Sequence, residues 1–144
     1  MNIYLAGPMR GIPYFNYPAF DAYAKLLRGW GHDVFSPVES DKAYYGADMF
    51  LSNSTGDMEQ AVRDHDFDLR VALRLDLEYI CDFADCVALI PDWWNSKGAR
   101  AEWATAQALG IPTIYLGELP CDDAKAALEA LASTMTTANT GAAA

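Results

Sequence analysis

Apolar and polar positions along the chain fall into two alternating signatures. Short, largely apolar runs occur at Ile3-Tyr4-Leu5-Ala6, Asp33-Val34-Phe35-Ser36, Cys86-Val87-Ala88-Leu89-Ile90 and Thr113-Ile114-Tyr115-Leu116. Each is stopped by Gly or Pro, which predicts strands buried on both faces. Between them the period changes to that of a helix. Phe20, Tyr23, Leu26, Leu27 and Trp30 recur at helical spacing after Pro18, and Gly29 and Gly31 bracket the end. Leu69, Ala72, Leu73, Leu77 and Ile80 predict a helix over about 67–83. Another helix spans about 99–109, where Ala99, Ala101, Ala104, Ala106 and Ala108 let it lie close to a sheet before Gly110 and Pro112 end it. A last helix covers Asp122 to Leu131, with the acidic pair Asp122-Asp123 at its start.

Strands alternating with helices imply an α/β protein: a single flavodoxin-like or Rossmann-like domain over residues 1–132. Its parallel sheet should hold four to five strands, with helices on both faces. Residues 39–66 break the rhythm, being acidic with Tyr44, Tyr45, Met49 and Phe50 among Gly, Ser and Asn. They are expected to form an irregular insertion, either a lid over a ligand or a solvated excursion with a short helix. The small polar residues 133–144 are expected to be a disordered tail.

Composition removes several function classes. No apolar run reaches the length of a membrane span, and the start lacks the order of a secretory signal, so a cytoplasmic location without membrane contact is expected. Cys81, Cys86 and Cys121 are an odd set, which argues against a disulfide framework. Cys81 and Cys86 read as buried thiols. His32 and His65 supply no closely spaced ligand pair, so neither metal nor cofactor is expected. Ten Lys and Arg against twenty Asp and Glu give a net charge of −10. That argues against a nucleic-acid polymer as partner. A small anion needs only a few local donors, and Arg10, Lys97 and Arg100 fall in the two segments considered next.

In sheets of this kind ligands bind beyond the carboxyl ends of the strands. The loop Gly7-Pro8-Met9-Arg10-Gly11 follows the first strand, and Pro91 to Gly98 follows the third. The first has neither a dinucleotide fingerprint nor a Walker sequence, and by itself reads as a tight turn. The second says more. Ser96-Lys97-Gly98 opens a helix whose unpaired N–H groups and dipole favour an anion. Glu102 lies one turn inside, where the dipole favours its ionised form and suits a nucleophile or an electrostatic anchor. The plain alternative is an ordinary acidic residue of a first turn. Trp93 and Trp94 either stack on a ring or pack over a core edge.

Three stretches occur in order: Ile3-Tyr4-Leu5-Ala6-Gly7-Pro8-Met9-Arg10-Gly11, Asp76-Leu77 before Ala84-Asp85, and Ser96-Lys97-Gly98-Ala99-Arg100-Ala101-Glu102. Together, over about residues 2–117, they resemble the nucleoside 2-deoxyribosyltransferase superfamily, closest to its small bacterial and phage members related to deoxynucleoside 5′-monophosphate N-glycosidases. The resemblance implies that Glu102 attacks the anomeric carbon, that Tyr4 orients it, and that Asp76 protonates or hydrogen-bonds the leaving base. It places Ser96 where base-exchanging enzymes commonly carry an aspartate and monophosphate hydrolases a serine. Arg10 matches a phosphate-loop arginine, although Pro8-Met9 replaces the Ser-Ile of that loop. Gly7, Met9, Arg10, Gly11, Ser96, Lys97 and Gly98 then form the substrate and phosphate site, with Trp93 and Trp94 as candidates for base stacking. The implied activity is hydrolysis of a (2-deoxy)ribonucleoside 5′-monophosphate through a glycosyl-glutamate. Base exchange by a deoxyribosyltransferase and a non-catalytic nucleotide sensor are the alternatives. A homo-oligomer binding a small nucleotide or nucleoside is implied as well.

Overall fold

The computed structural model describes the backbone of residues 1–141 and the side chains of residues 1–137. Four parallel strands, β1 (Asn2–Ala6), β2 (Asp33–Phe35), β3 (Cys86–Leu89) and β4 (Thr113–Tyr115), form one sheet in the order β2-β1-β3-β4. Tyr4 pairs with Phe35 on one side and Val87 on the other. This is the flavodoxin-like order expected, with the crossover at the carboxyl ends of β1 and β3.

Strand alternation assigns the two faces. Ile3, Leu5, Cys86, Ala88 and Ile90 join the larger core with Phe20, Tyr23 and Leu27 of α1 (Tyr17–Gly29) and Leu128 of α7 (Asp122–Gly141). Tyr4, Ala6, Val87 and Leu89 turn to the other face, where Ile80 of α5 (Leu69–Asp82) and Ala99 and Ala106 of α6 (Lys97–Leu109) cover them. Alanines on α6 bring its backbone near the sheet. Tyr4 therefore points at the same layer that carries Asp76 and Glu102.

Three expectations are corrected. Residues 39–66 are mostly helical: α2 (Pro37–Tyr45), α3 (Asp48–Leu51) and α4 (Met58–His65). Pro37 starts α2, Asp57 caps α4 through its bond from the Glu59 amide, and Met49, Phe50 and Ala61 are buried. The tail from Ser133 does not begin as coil, because α7 continues to Gly141. There the Ser133 hydroxyl donates to the Glu129 carbonyl and the Thr136 hydroxyl to the Ala132 carbonyl, so polar side chains fold back on the helix instead of ending it. Residues 142–144 of that expectation lie outside the described residues. Finally, Cys81 is exposed on α5, while Cys86 and Cys121 are buried.

The helical segment is laced to the loop after β1. The Gly11 amide donates to the Gly56 carbonyl at 2.9 Å and the Tyr14 amide to the Asn53 carbonyl at 3.0 Å. Tyr14, Phe15 and Asn16 are all left-handed, with φ of 56°, 50° and 61°. That costs on the order of 1–2 kcal/mol per residue, and it turns Phe15 inward, where it is 3% exposed.

Candidate active site

One cleft opens at the carboxyl edge of β1 and β3. Gly7, Met9 and Arg10 of the first loop line it, as do Ser96, Gly98, Ala99 and Glu102 of α6 and its cap. Asp76 and Leu73 of α5 and Asp41 of α2 complete it from the other side, roofed by Met49, Met58 and Phe67. With its open mouth it holds about 610 Å³ of empty space. Three flexible methionines (Met9, Met49 and Met58) form much of its apolar wall.

The acidic residues sit deep. Glu102 is 6% exposed, Asp76 9% and Asp41 7%. Burial holds the Glu102 carboxyl up at about 8, helped by Asp76 and opposed by the Tyr4 hydroxyl. Removal from water thus works against the helix dipole expected to favour the ionised form of Glu102. Burial likewise raises Asp76 to about 7, with Tyr4 again opposing. Arg70 and Arg74, on the same helix, do not hold it down. Both are exposed, and Arg74 pairs with Glu78 at 3.5 Å. Tyr4 is fully buried, its own titration driven well upward by burial first and then by Glu102 and Asp76. Its hydroxyl has no hydrogen bond of standard geometry, yet both carboxyls lie within its electrostatic reach.

At the other end of the cleft the chemistry changes sign. The Ser96 hydroxyl oxygen caps α6 by accepting from the Ala99 amide at 3.2 Å, which leaves its own O–H to donate. The Lys97 and Gly98 amides belong to the first helical turn and have no intrahelical acceptor. A second, wider trough shares Met9, Arg10 and Ser96 with the cleft and adds Pro8, Asn95, Asp92 and Lys97. Neither Arg10 nor Lys97 joins an ion pair among the described residues. Gly7 is required by packing: a Cβ there would overlap Cγ1 and Cδ1 of Ile90. At Gly98 a Cβ would be 3.8 Å from Glu102 Oε1, an ordinary contact.

Some expected site residues fall elsewhere. Gly11 does not line the cleft; its φ of +73° and its bond to Gly56 make it a latch for the roof. Trp93 and Trp94 do not line it either. The turn Trp93–Asn95 carries Trp93 onto Trp103, at 5.6 Å between ring centres, and onto Tyr115, at 6.0 Å. Trp93 thus packs over the β4 edge, whereas Trp94 stands exposed outside the cleft. Asp41 was missed, since Glu39-Ser40-Asp41-Lys42 reads as a solvated stretch. Its one signal was position, a turn beyond the carboxyl end of β2. Among the described residues no cluster of three metal-ligating side chains occurs, and no helix is long and apolar enough to cross a membrane.

Comparisons with known proteins bear on the fold and the family. Among curated proteins no sequence matches significantly. A solved 2-deoxyribosyltransferase from the psychrotolerant bacterium Bacillus psychrosaccharolyticus is similar at 26% identity and a TM-score of 0.52, covering 81% of this chain and 72% of that one. Residues 1–115 match the family described as Domain of unknown function (DUF4406). The chain belongs to that family, and with it to the nucleoside 2-deoxyribosyltransferase-like superfamily.

Proposed function

We propose that this protein hydrolyses the N-glycosidic bond of a 2-deoxyribonucleoside 5′-monophosphate. The observation that carries the reading is convergence: Glu102, Asp76, Arg10 and Ser96 line one cleft, and Tyr4 lies against the two carboxyls. A Glu102 carboxylate oxygen bonds to C1′ as the C1′–N bond breaks. The bonding pair leaves with the base, which takes the proton of Asp76. Water then attacks C1′ of the glycosyl-Glu102 ester, gives a proton to Asp76 and frees the carboxylate. Two buried carboxyls close together do not ionise independently, so one proton kept on Asp76 is what lets Glu102 act. Ser96 O–H, the helix amides and Arg10 hold the 5′-phosphate, with Lys97 at its outer side.

Transfer to a second base is the competing reading, favoured by the similarity to a 2-deoxyribosyltransferase. Incubation with a deoxynucleotide, with and without a second free base, separates the two. Free base released without an acceptor supports hydrolysis, and exchange that requires the acceptor supports transfer. Glu102→Gln must abolish release while the nucleotide still binds. If wild type binds a nucleotide and cleaves none, a sensor replaces both readings. A cytoplasmic homo-oligomer belongs to the same proposal, and sedimentation velocity tests its assembly.

A further inference from the structure

The mechanism above leaves one carboxyl of the cleft without a task. Asp41 is buried on α2 and lines the cleft, and its carboxyl makes no hydrogen bond or ion pair among the described residues. Its neighbour Lys42 turns away, to Asp21 at 3.5 Å and over the Tyr17 ring at 4.2 Å. A carboxyl taken from water without a protein partner is costly, and burial with the nearby Asp76 raises its titration to about 8. The surrounding wall is apolar: Met49, Met58, Phe67 and Leu73. Arg10 and Ser96 stand at the phosphate end, where the cleft meets the wider trough. The base end therefore offers a planar ring apolar walls and two adjacent carboxyls, with no amide, guanidinium or ammonium donor among its described residues.

A carboxyl that donates beside one that accepts suits a base edge that sets a ring-nitrogen acceptor beside an amino donor. A 6-aminopurine presents an N7 acceptor beside an N6 amino donor, whereas a 6-oxopurine presents two acceptors. Asp76 needs its proton for a ring nitrogen, and Asp41 in either protonation state keeps an oxygen that accepts from N–H. Resting on the glycosidase reading, we propose that Asp41 is a specificity-determining residue of this same site. It accepts from the exocyclic amino group of a 6-aminopurine while Asp76 faces N7, so the substrate class is a 2′-deoxyadenosine 5′-monophosphate.

A chemical double-mutant cycle tests this. kcat/KM is measured for 2′-deoxyadenosine 5′-monophosphate and for its analogue lacking the 6-amino group, with wild type and Asp41→Ala. The preference for the amino substrate is expected to fall about tenfold in the variant, because intrinsic leaving-group differences cancel in the cycle. An unchanged ratio overturns the inference and leaves the glycosidase reading intact. Asp41→Asn, which keeps the size and adds an N–H donor, guards against a folding defect. Its amide oxygen still accepts from the 6-amino group while its new N–H donates to a 6-oxo group, so kcat/KM for the 6-oxo nucleotide is expected to rise at least about threefold over wild type, and no gain refutes the role. If wild type cleaves neither nucleotide but releases base from another deoxynucleotide, the adenine inference fails and the glycosidase reading stands; if it cleaves no deoxynucleotide, the glycosidase reading fails. The same cycle on Kd, by calorimetry with the same nucleotides, then decides Asp41, and an unchanged ratio overturns it.

Discussion

Asp41→Asn also tests the electrostatics of the cleft through stability. In the fold the Asp41 carboxyl titrates at about 8, against 3.8 for an ordinary aspartate. A raised value means that the folded state holds the proton more tightly than the unfolded chain. The stability it contributes is complete below the unfolded value and is lost as pH rises through the window up to about 8. Each pH unit in that window costs about 1.4 kcal/mol, so from pH 4 to pH 8 the loss reaches about 5 kcal/mol. Water reaching the open mouth of the cleft lowers this to about 2–3 kcal/mol. An asparagine fills the same space and never ionises. The variant should match wild type near pH 4 and exceed it by about 2–3 kcal/mol at pH 8, or about 5–10 °C in Tm for a chain of this size. Urea unfolding at the two pH values measures both differences. An equal shift at both, or a loss at pH 8, would falsify the account. Asp76 and Glu102 are raised as well, so the variant should keep part of the wild-type decline.

The remaining predictions concern activity and packing. Base release should follow a bell-shaped pH profile with its maximum between about 7 and 8; the order of the two values places a shared proton mainly on Glu102, so the productive form, with the proton on Asp76 and the charge on Glu102, is the minor one there. Asp76→Asn should depress the rate and flatten the alkaline limb; a limb that survives assigns it to another group. Arg10→Ala should shrink the advantage of a 5′-monophosphate over the free deoxynucleoside by about tenfold in kcat/KM, and an unchanged advantage removes Arg10 from the phosphate site. Gly7→Ala drives a methyl into Ile90 and should cost about 1–3 kcal/mol. Adding Ile90→Ala, which deletes the overlapping atoms, should return part of that loss in the same denaturation assay.

Much of this was legible in the residues, for reasons that can be named. Ile3 to Ala6 and Cys86 to Ile90 are bounded apolar runs, and such runs have few options but the middle of a parallel sheet. Once Tyr4 occupies β1, alternation alone sends it to the face that α5 and α6 cover, and Asp76 and Glu102 follow. Asp41 was not legible, because its burial is made by α5 and the roof rather than by its own flanking residues, which are polar. Trp93 and Trp94 misled for the opposite reason. Aromatics in a loop at the sheet edge look like a stacking pair, but the short turn Trp93–Asn95 rotates Trp93 onto Trp103 and Tyr115. Residues 39–66 looked irregular because their three helices are short. Each is held by tertiary contacts such as buried Met49, Phe50 and Ala61 more than by its own periodicity.

The two backbone bonds from the first loop to the roof, Gly11 to Gly56 and Tyr14 to Asn53, have a consequence for what leaves the cleft. They make the loop that carries Arg10 and the segment that carries Met49 one connected body. On the proposed glycosidase reading, a nucleotide would grip that body at both ends, with base and phosphate tethered through a single sugar, and each end would hold the other at high local concentration. Breaking the C1′–N bond cuts the tether. Base and sugar phosphate then dissociate as two separate weak ligands, so the reaction itself loosens the grip that the intact nucleotide enjoyed.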